Sequence, residues 1–557
     1  MKKLTEAESG INERPFVRNG KTLLSGIEPV KRAEKAADAV PVKERTLYFC
    51  PSPLFGYGLA RLLERLEADA PSSAVLCIEA DGELFELSKK NIDPALAANG
   101  KFCLTNILEA DKLCALVNRT WGVRAFRRIE TLKFTGGFQL FPGLYDALCD
   151  TLRREFAVDW GNALTLSKLG RLYTRNMLRN IALSSQFPSI DELSFGDASV
   201  LVLGAGPSLD DVLDRLTRKL RGTEERRFKI VCVDTCLGAL KDRGIVPDLV
   251  VILESQHWNL RDFIGTKGWN VNMAADLSSL PACARILKGK GFLFFTPWTG
   301  LEIFKRLKDA GLLPASVSPL GSVGLTAVEI TRRLTSGKII CAGLDFSFTS
   351  DKYHARGTPG HRGKLNAQTR LRHFFNVAAF KESSIAAVSK SGKDVYTNPI
   401  MRNYRNLFEQ EFGGDERVYD IEGAGLPLGA KTLSMDEVIE ALETKEVHTE
   451  AHRPIGSRHG NGFQSFAPSC LCVKSSVIIS FFEGERRRLE ELRGILTGEA
   501  AADKERLGVL IGECDYLWAH FPDYAGGAAC CARKPDITDL SFLNRVRMEI
   551  DIMSKLV

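Results

Sequence analysis

The chain has 557 residues, 44% hydrophobic and 26% charged, the balance of a globular protein too long to be organised on a single core. Its formal net charge is only +6, with Lys and Arg interleaved among Asp and Glu, so charge gives no argument for a nucleic-acid partner. The 14 cysteines are scattered, and the close sets Cys470/Cys472 and Cys530-Cys531 lack a second pair or histidines at zinc spacing, so no metal site is expected.

Free thiols fit a reducing compartment. The opening MKKLTEAESGINERPF has no apolar core, so it does not read as a signal peptide. No apolar run approaches the ~18–20 residues that span a bilayer. The expected location is cytoplasmic, with no membrane span.

Residues 1–44 read as a polar lead-in whose PVKRAEKAADAV stretch forms a short charged helix. A domain over 45–144 opens with TLYFCPSPLFGYGLARLLERL, which predicts a strand, a turn holding Gly56 and Gly58, and a helix. The next strand, in AVLCIEADGELFEL, ends on Glu79 and Asp81. That order opens a nucleotide-binding α/β half. Pro51 and Pro53 crowd the turn, however, and the competing reading is a Rossmann-like domain used for assembly or acceptor recognition. FCLTNILEADKLCALV and FRRIETLKF continue the alternation. Residues 145–189 change to helical periodicity and read as a connector. Arg171, Arg175, Asn176, Arg179 and Asn180 fall on spacings of one helix face, read as solvated and basic rather than as contact with an anionic ligand.

The domain over 190–443 begins with VLVLGAGPSLD: a buried strand, a turn over residues 204–208, then a helix. Glycines permit close backbone approach, and the first turn of a helix presents free N–H groups to an anion. Gly204, Gly206 and Ser208 are therefore candidates to hold a phosphate, the alternative being an empty βα turn. A Walker loop is excluded because no Lys-Ser/Thr pair follows. Two further strands, in FKIVCVDTCLGALKDRG and IVPDLVVILESQHW, end on Asp234-Thr235 and Glu254-Ser255-Gln256. Ligands of open α/β sheets bind at that carboxyl edge. GFLFFTPWTG predicts a strand, SVGLTAVEITRRL a helix, and KIICAGLDFSF a strand followed by Asp345. The polar loop DKYHARGTPGHRG carries Tyr353, His354, Arg356, His361 and Arg362 and reads as a catalytic lid, against a plain polar excursion. Residues 366–405 look helical. VYDIEGAGLPLGAKTLSMDEVIEAL closes the domain with a strand, a glycine loop and a helix capped by Ser434 with Glu437. A Gly/Ser/His/Pro linker over 444–469 then leads to a helical C-terminal domain over 470–557.

GAGPSLD, CVDTCLGALKDRGIVPDLVVILE, the GLTAVEI helix and AGLDFSFTSDKYHARGT together resemble the MptE-like family over roughly 190–440. That family includes 6-hydroxymethylpterin diphosphokinases and the motility accessory factor (Maf) flagellin glycosyltransferases. A pterin kinase of the family looks like the catalytic domain alone. The added N-terminal Rossmann-like domain and helical C-terminal region are similar to the Maf layout, whose central α/β domain, with a parallel sheet, is sialyltransferase-like. IEGAGLPLGAKTLSMDE also looks like the sugar-transferase branch.

The resemblance implies transfer of a nonulosonic acid, of pseudaminic or legionaminic type, from a CMP-activated donor to Ser or Thr of flagellin or another acceptor protein. On that reading the nucleotide-sugar phosphate sits at Gly204, Gly206 and Ser208. Asp234 and Thr235 hold ribose or cytosine, and Glu254 and Asp345 position sugar or acceptor hydroxyls. His354 is the general base or phosphate-stabilising acid, and Arg356 or Arg362 pairs with the donor's carboxylate. No cofactor is required. The rival enzyme is a pterin diphosphokinase using ATP and Mg²⁺, held by Asp234, Asp248, Glu254 and Asp345. A non-catalytic flagellin-binding accessory factor is the third reading.

Overall fold

The computed structural model describes residues 15–122, 125–220, 226–371, 377–381, 383–443, 468–498, 504–524 and 535–557. The chain divides into two compact units, one of Met1–Lys168 with Ala519–Pro535 and the other of Leu169–Trp518 with Asp536–Val557. No helix among the described residues is long and apolar enough to cross a membrane.

The first unit begins with a β-hairpin, β1 (Phe16–Arg18) and β2 (Lys21–Leu24), where a polar lead-in is expected. Its signal is Asn19-Gly20: φ is 49° at Asn19 and 73° at Gly20, as the two positions of a tight hairpin turn require. A four-stranded parallel sheet follows, made of β3 (Thr46–Pro51), β4 (Ala74–Ile78), β5 (Phe102–Thr105) and β6 (Arg128–Thr131) in the order β5-β4-β3-β6. Side chains of β3 and β4 are buried on both faces, which is why TLYFC and AVLCI read as unbroken apolar runs.

The carboxyl edge of that sheet is filled by its own residues. Ser52 Oγ donates to Glu79 Oε2 at 2.6 Å, and the Tyr145 hydroxyl donates to Glu79 Oε1 at 3.3 Å. A Cβ on Gly137 would stand 2.0 Å from Ser52 Oγ. Burial raises the Glu79 pKa. The α/β opening expected here is present, and its crevice is closed.

Among its described residues the second unit carries eight parallel strands: β7 (Val200–Leu203), β8 (Lys229–Val233), β9 (Leu249–Ile252), β10 (Asn272–Asp276), β11 (Gly291–Phe294), β12 (Ile339–Ala342), β15 (Val418–Ile421) and β16 (Lys431–Leu433). Their order is β11-β10-β9-β8-β7-β12-β15-β16. The hairpin β13 (Ile385–Val388) and β14 (Asp394–Thr397) lies outside this sheet and corrects the helical reading of 366–405 at those strands, while its end is helical in Pro399–Phe412. Its SKSGK turn and the alternation of Val395 and Thr397 inward outweigh the helical composition around them. The capping box forms as expected: Ser434 N–H donates to Glu437 Oε2 at 2.7 Å and Glu437 N–H to Ser434 Oγ at 3.4 Å.

The C-terminal helices, expected as a separate domain, fall within this same unit. Arg306 reaches both oxygens of the buried Glu485, at 2.7 and 3.0 Å, and Asp515 accepts from Glu302 N–H at 2.9 Å. The expected linker lies outside the described residues up to residue 467.

Candidate functional site at the sheet's switch point

Strands β7 to β11 succeed one another toward one edge of the sheet, while β12, β15 and β16 lie on the other side of β7. The order therefore reverses between β7 and β12, and ligands of open α/β sheets bind in the crevice opened by such a reversal. At this point stand the turn 204–208 and, after β12, Gly343 and Asp345. The two loops touch through glycine. A Cβ on Gly206 would lie 2.6 Å from the Asp345 carboxylate, and one on Gly204 2.5 Å from Gly343 O.

Asp345 occupies the mouth of the helix Leu209–Leu220. Its Oδ2 accepts from Ser208 N–H at 2.7 Å, and the Ser208 hydroxyl donates to Oδ1. Gly206 N–H donates to Gly343 O at 2.8 Å. The amides expected to face a phosphate are thus engaged within the chain, and the anion at this helix terminus is Asp345 itself. Burial raises the Asp345 pKa, opposed by the Ser208 bonds and by the charge of Lys390. Phe346, directly after it, is held at φ 45°, a strained backbone position for a bulky residue.

The loop 349–358 closes over the turn. Ala355 N–H donates to Ala205 O at 3.0 Å, and His354 Nδ1 lies 3.3 Å from the same oxygen. A carbonyl only accepts, so in the neutral ring the proton sits on Nδ1 and Nε2 keeps its lone pair. Burial lowers the His354 pKa, which favours that neutral form. Asp210, 1% exposed, ties the loop down: its carboxylate accepts from Arg356 N–H at 2.8 Å, Arg356 Nε at 3.2 Å and Lys352 Nζ at 2.9 Å. Arg356 is fixed through Nε, and its two Nη groups have no partner among the described residues. Beside the crevice, Lys390 from the hairpin pairs with the buried Asp420 at the end of β15, at 2.7 Å.

A second group runs along the ends of β8, β9 and β10. Asp234 accepts from Thr235 N–H at 2.8 Å and from Asn259 Nδ2 at 2.6 Å; Asn259 also reaches Asp262 at 3.3 Å. Burial, then the charge of Asp234, pushes Asp262 up to about 7. Asp276 accepts from Ser278 N–H at 2.7 Å and Thr296 N–H at 2.6 Å, and burial lifts it to about 6. Tyr173 is pushed up to about 12 by burial and by the charges of Glu254 and Asp276. Glu254 itself is exposed and accepts from Gln256 N–H at 2.8 Å.

Of the residues singled out in the sequence, the structure joins Gly204, Gly206, Ser208, Asp345, His354 and, through Asp210, Arg356. Asp234 and Thr235 stand one strand away, and Glu254 two. Arg362 pairs with Asp242, and it and His361 belong to the helix Pro359–Asn366 rather than to a loop. Asp248 lies at the opposite end of the sheet, before β9, where it accepts from Ile230 N–H at 2.8 Å; the carboxylate set named for Mg²⁺ is therefore not assembled. No group of three or more metal-ligating side chains occurs among the described residues.

The helix face read as solvated and basic is exposed at Arg171 and Arg179 but is corrected at its asparagines. Asn176 and Asn180 are buried: Asn176 donates to Ser255 O and Ser278 O at 3.0 and 2.9 Å, and Asn180 to Leu277 O and Ser279 O at 2.9 Å each. Sequence reasoning also missed Asp210, Lys352 and Lys390. Asp210 was readable as an acid in a helix's first turn, whereas its partners lie too far along the chain to be inferred.

The sequence model of the family described as 6-hydroxymethylpterin diphosphokinase MptE-like matches residues 175–351, which take in β7 to β12 and the start of the closing loop. An uncharacterized protein of Treponema pallidum (strain Nichols) is 30% identical over 539 residues, 94% of this chain and 90% of that protein. Among solved structures, the Maf glycosyltransferase from Magnetospirillum magneticum AMB-1 is similar with a TM-score of 0.50 at 15% identity, covering 99% of this chain and 84% of that one. At that identity the likeness speaks for the fold.

Proposed function

We propose that this chain, which belongs to the MptE-like family, is a glycosyltransferase that moves a nonulosonic acid from a CMP-activated donor to Ser or Thr hydroxyls of flagellin. The observation that most supports this reading is the loop 349–358 closed over the switch point, with His354 on the glycine turn and Arg356 held by Asp210. The Maf-like fold agrees with it.

The chemistry asked of the site is a substitution at the donor's anomeric carbon. The acceptor oxygen bonds to that carbon while the bond to the CMP phosphate oxygen breaks, and CMP departs with the electron pair. The hydroxyl proton passes to His354 Nε2, the nitrogen left free by the Nδ1 contact with Ala205. The free Nη groups of Arg356 suit a bidentate grip on the donor's carboxylate or phosphate. With the turn amides engaged, Lys352 and Arg356 supply the positive charge that offsets the leaving phosphate. Asp234 and Thr235 recognise ribose or cytosine, Glu254 positions hydroxyls along the edge, and Asp345 holds Ser208 and the turn in place. No cofactor takes part in this reading.

The test is intact-mass analysis of flagellin incubated with the purified full chain and a CMP-nonulosonate. The expected result is a repeated nonulosonate-sized increment with one CMP released per increment. His354→Ala should slow transfer by roughly 10²-fold or more. An unchanged flagellin mass, or ATP-dependent diphosphate transfer to a hydroxymethylpterin, removes the proposal.

A further inference from the structure

We propose that the 3₁₀ helix His257–Phe263, which follows Glu254 at the carboxyl edge of the second unit's sheet, is the docking surface for the acceptor polypeptide. This rests on the transferase reading above and adds where the acceptor is gripped.

The helix has an inner and an outer row. Residues three apart eclipse in a 3₁₀ helix, so Asn259 and Asp262 share one row and Trp258, Arg261 and Ile264 another. The inner row is pinned to the sheet: Asn259 Nδ2 donates to Asp234 Oδ2 at 2.6 Å, and the Cys283 thiol donates to Asn259 Oδ1 at 3.2 Å. The outer row faces solvent. Trp258 is 56% exposed and Ile264 65%, with Leu260 beside them at 39%. Trp258 is backed by its neighbours. The His257 ring centroid lies 4.3 Å from its own, and Arg261, whose Nε donates to Trp258 O at 3.2 Å, sets its guanidinium 5.6 Å from the indole. Single exposed apolar side chains are ordinary on a protein surface. Three around one short helix held from behind make a preorganised contact, and Trp and Arg are among the residue types enriched where binding energy concentrates.

Position and size select the occupant. Asp234, to which the helix is tied, follows the strand next to β7, and Glu254 follows the strand beyond it. Neighbouring strands stand ~4.8 Å apart, so the surface begins about 10 Å along the edge from the glycine turn, a span of about three extended residues. A 3₁₀ helix of seven residues is roughly 14 Å long, and one side of it cannot supply the ~800 Å² that each partner gives to a stable interface. A permanent second copy is therefore disfavoured, and the contact suits a chain that docks, is modified and leaves. The occupant is a polypeptide carrying an apolar side chain about three or more residues from the Ser or Thr that reacts.

Transfer kinetics of the full chain with flagellin as the varied substrate test the assignment. The double variant Trp258→Ala/Ile264→Ser should raise the KM for flagellin about 10-fold or more, with kcat and the KM for the CMP-nonulosonate unchanged. Trp258→Phe alone should keep the KM near the wild-type value. Binding of flagellin to the chain without donor, followed by biolayer interferometry, should weaken in parallel with the KM. An unchanged flagellin KM in the double variant, or a fall in kcat alone, overturns the docking surface and leaves the transferase reading intact. Self-association of the wild-type chain in sedimentation that the double variant abolishes also overturns it, because the surface then belongs to a second copy. A wild-type chain that neither binds nor modifies flagellin overturns both together.

Discussion

Asp210 shows how one buried carboxylate organises a loop whose Lys352 and Arg356 lie 142 and 146 residues away in sequence. Burial alone would raise its pKa, but the bonds from Lys352 and Arg356 outweigh that and hold it below the usual carboxylate range. Its contribution to stability is therefore complete above the unfolded value and is lost as pH falls through the lower folded one. Asp210→Ala removes three bonds to charged or backbone donors. The expected loss is about 2 kcal/mol in urea unfolding at neutral pH, shrinking toward zero in strong acid. An unchanged midpoint would show that Lys352 and Arg356 find water as good a partner. Ser208 and Asp345 were each readable as candidates from strand-end position. Their direct contact was not, because nothing local links residues 137 apart.

At the scale of elements, the buried end of the helix Pro142–Ile181 supports the edge it touches. Asn176 and Asn180 are four residues apart, so both amides lie on one face and each bridges two carbonyls of the loops after β9 and β10. Asn180→Ala should cost roughly 1–3 kcal/mol, because it leaves two buried carbonyls without a donor. Hydrogen exchange should quicken at residues 277–280 and leave β3 and β4 unaffected. Equal acceleration everywhere would mean general loosening instead. The spacing of these asparagines was visible in the sequence, but their polarity suggested solvent. A polar face is buried when its groups match carbonyls supplied by another segment, and the helix's own sequence carries no record of those acceptors.

Across the whole molecule, several buried carboxyls titrate late. Asp262 and Asp515 are pushed up to about 7 and Asp276 to about 6, each chiefly by burial. Over the range from the ordinary carboxyl value up to these values, the folded chain holds more protons than the unfolded chain, so stability falls as pH rises. His354, lowered by burial, acts in the opposite sense below its ordinary value of 6.5. Those three acids outweigh His354 and His361, the latter also lowered by burial, and thermal unfolding should have a higher midpoint near about pH 5 than near about pH 8. Asp276→Asn should flatten that slope; a rising midpoint instead would mean these carboxyls ionise freely in the fold.

The sequence by itself determined the alternation of strand and helix, because fully buried parallel strands must be unbroken apolar runs. VLVL, LVVI and KIICA announced themselves in this way. It also placed Ser208, Asp234, Glu254 and Asp345 at strand ends, because polar residues directly after such runs have one edge of the sheet to occupy. Strand β10 escaped notice, since NMAAD has no β-branched residues. Only the tertiary structure decided which strand ends are neighbours. The reversal of order between β7 and β12 gathers the glycine turn, Asp345 and His354, and leaves Glu254 two strands away. The turn that sequence reads as a candidate phosphate cradle is closed by Asp345, since an anion-seeking helix terminus is satisfied by the first carboxylate the fold brings to it.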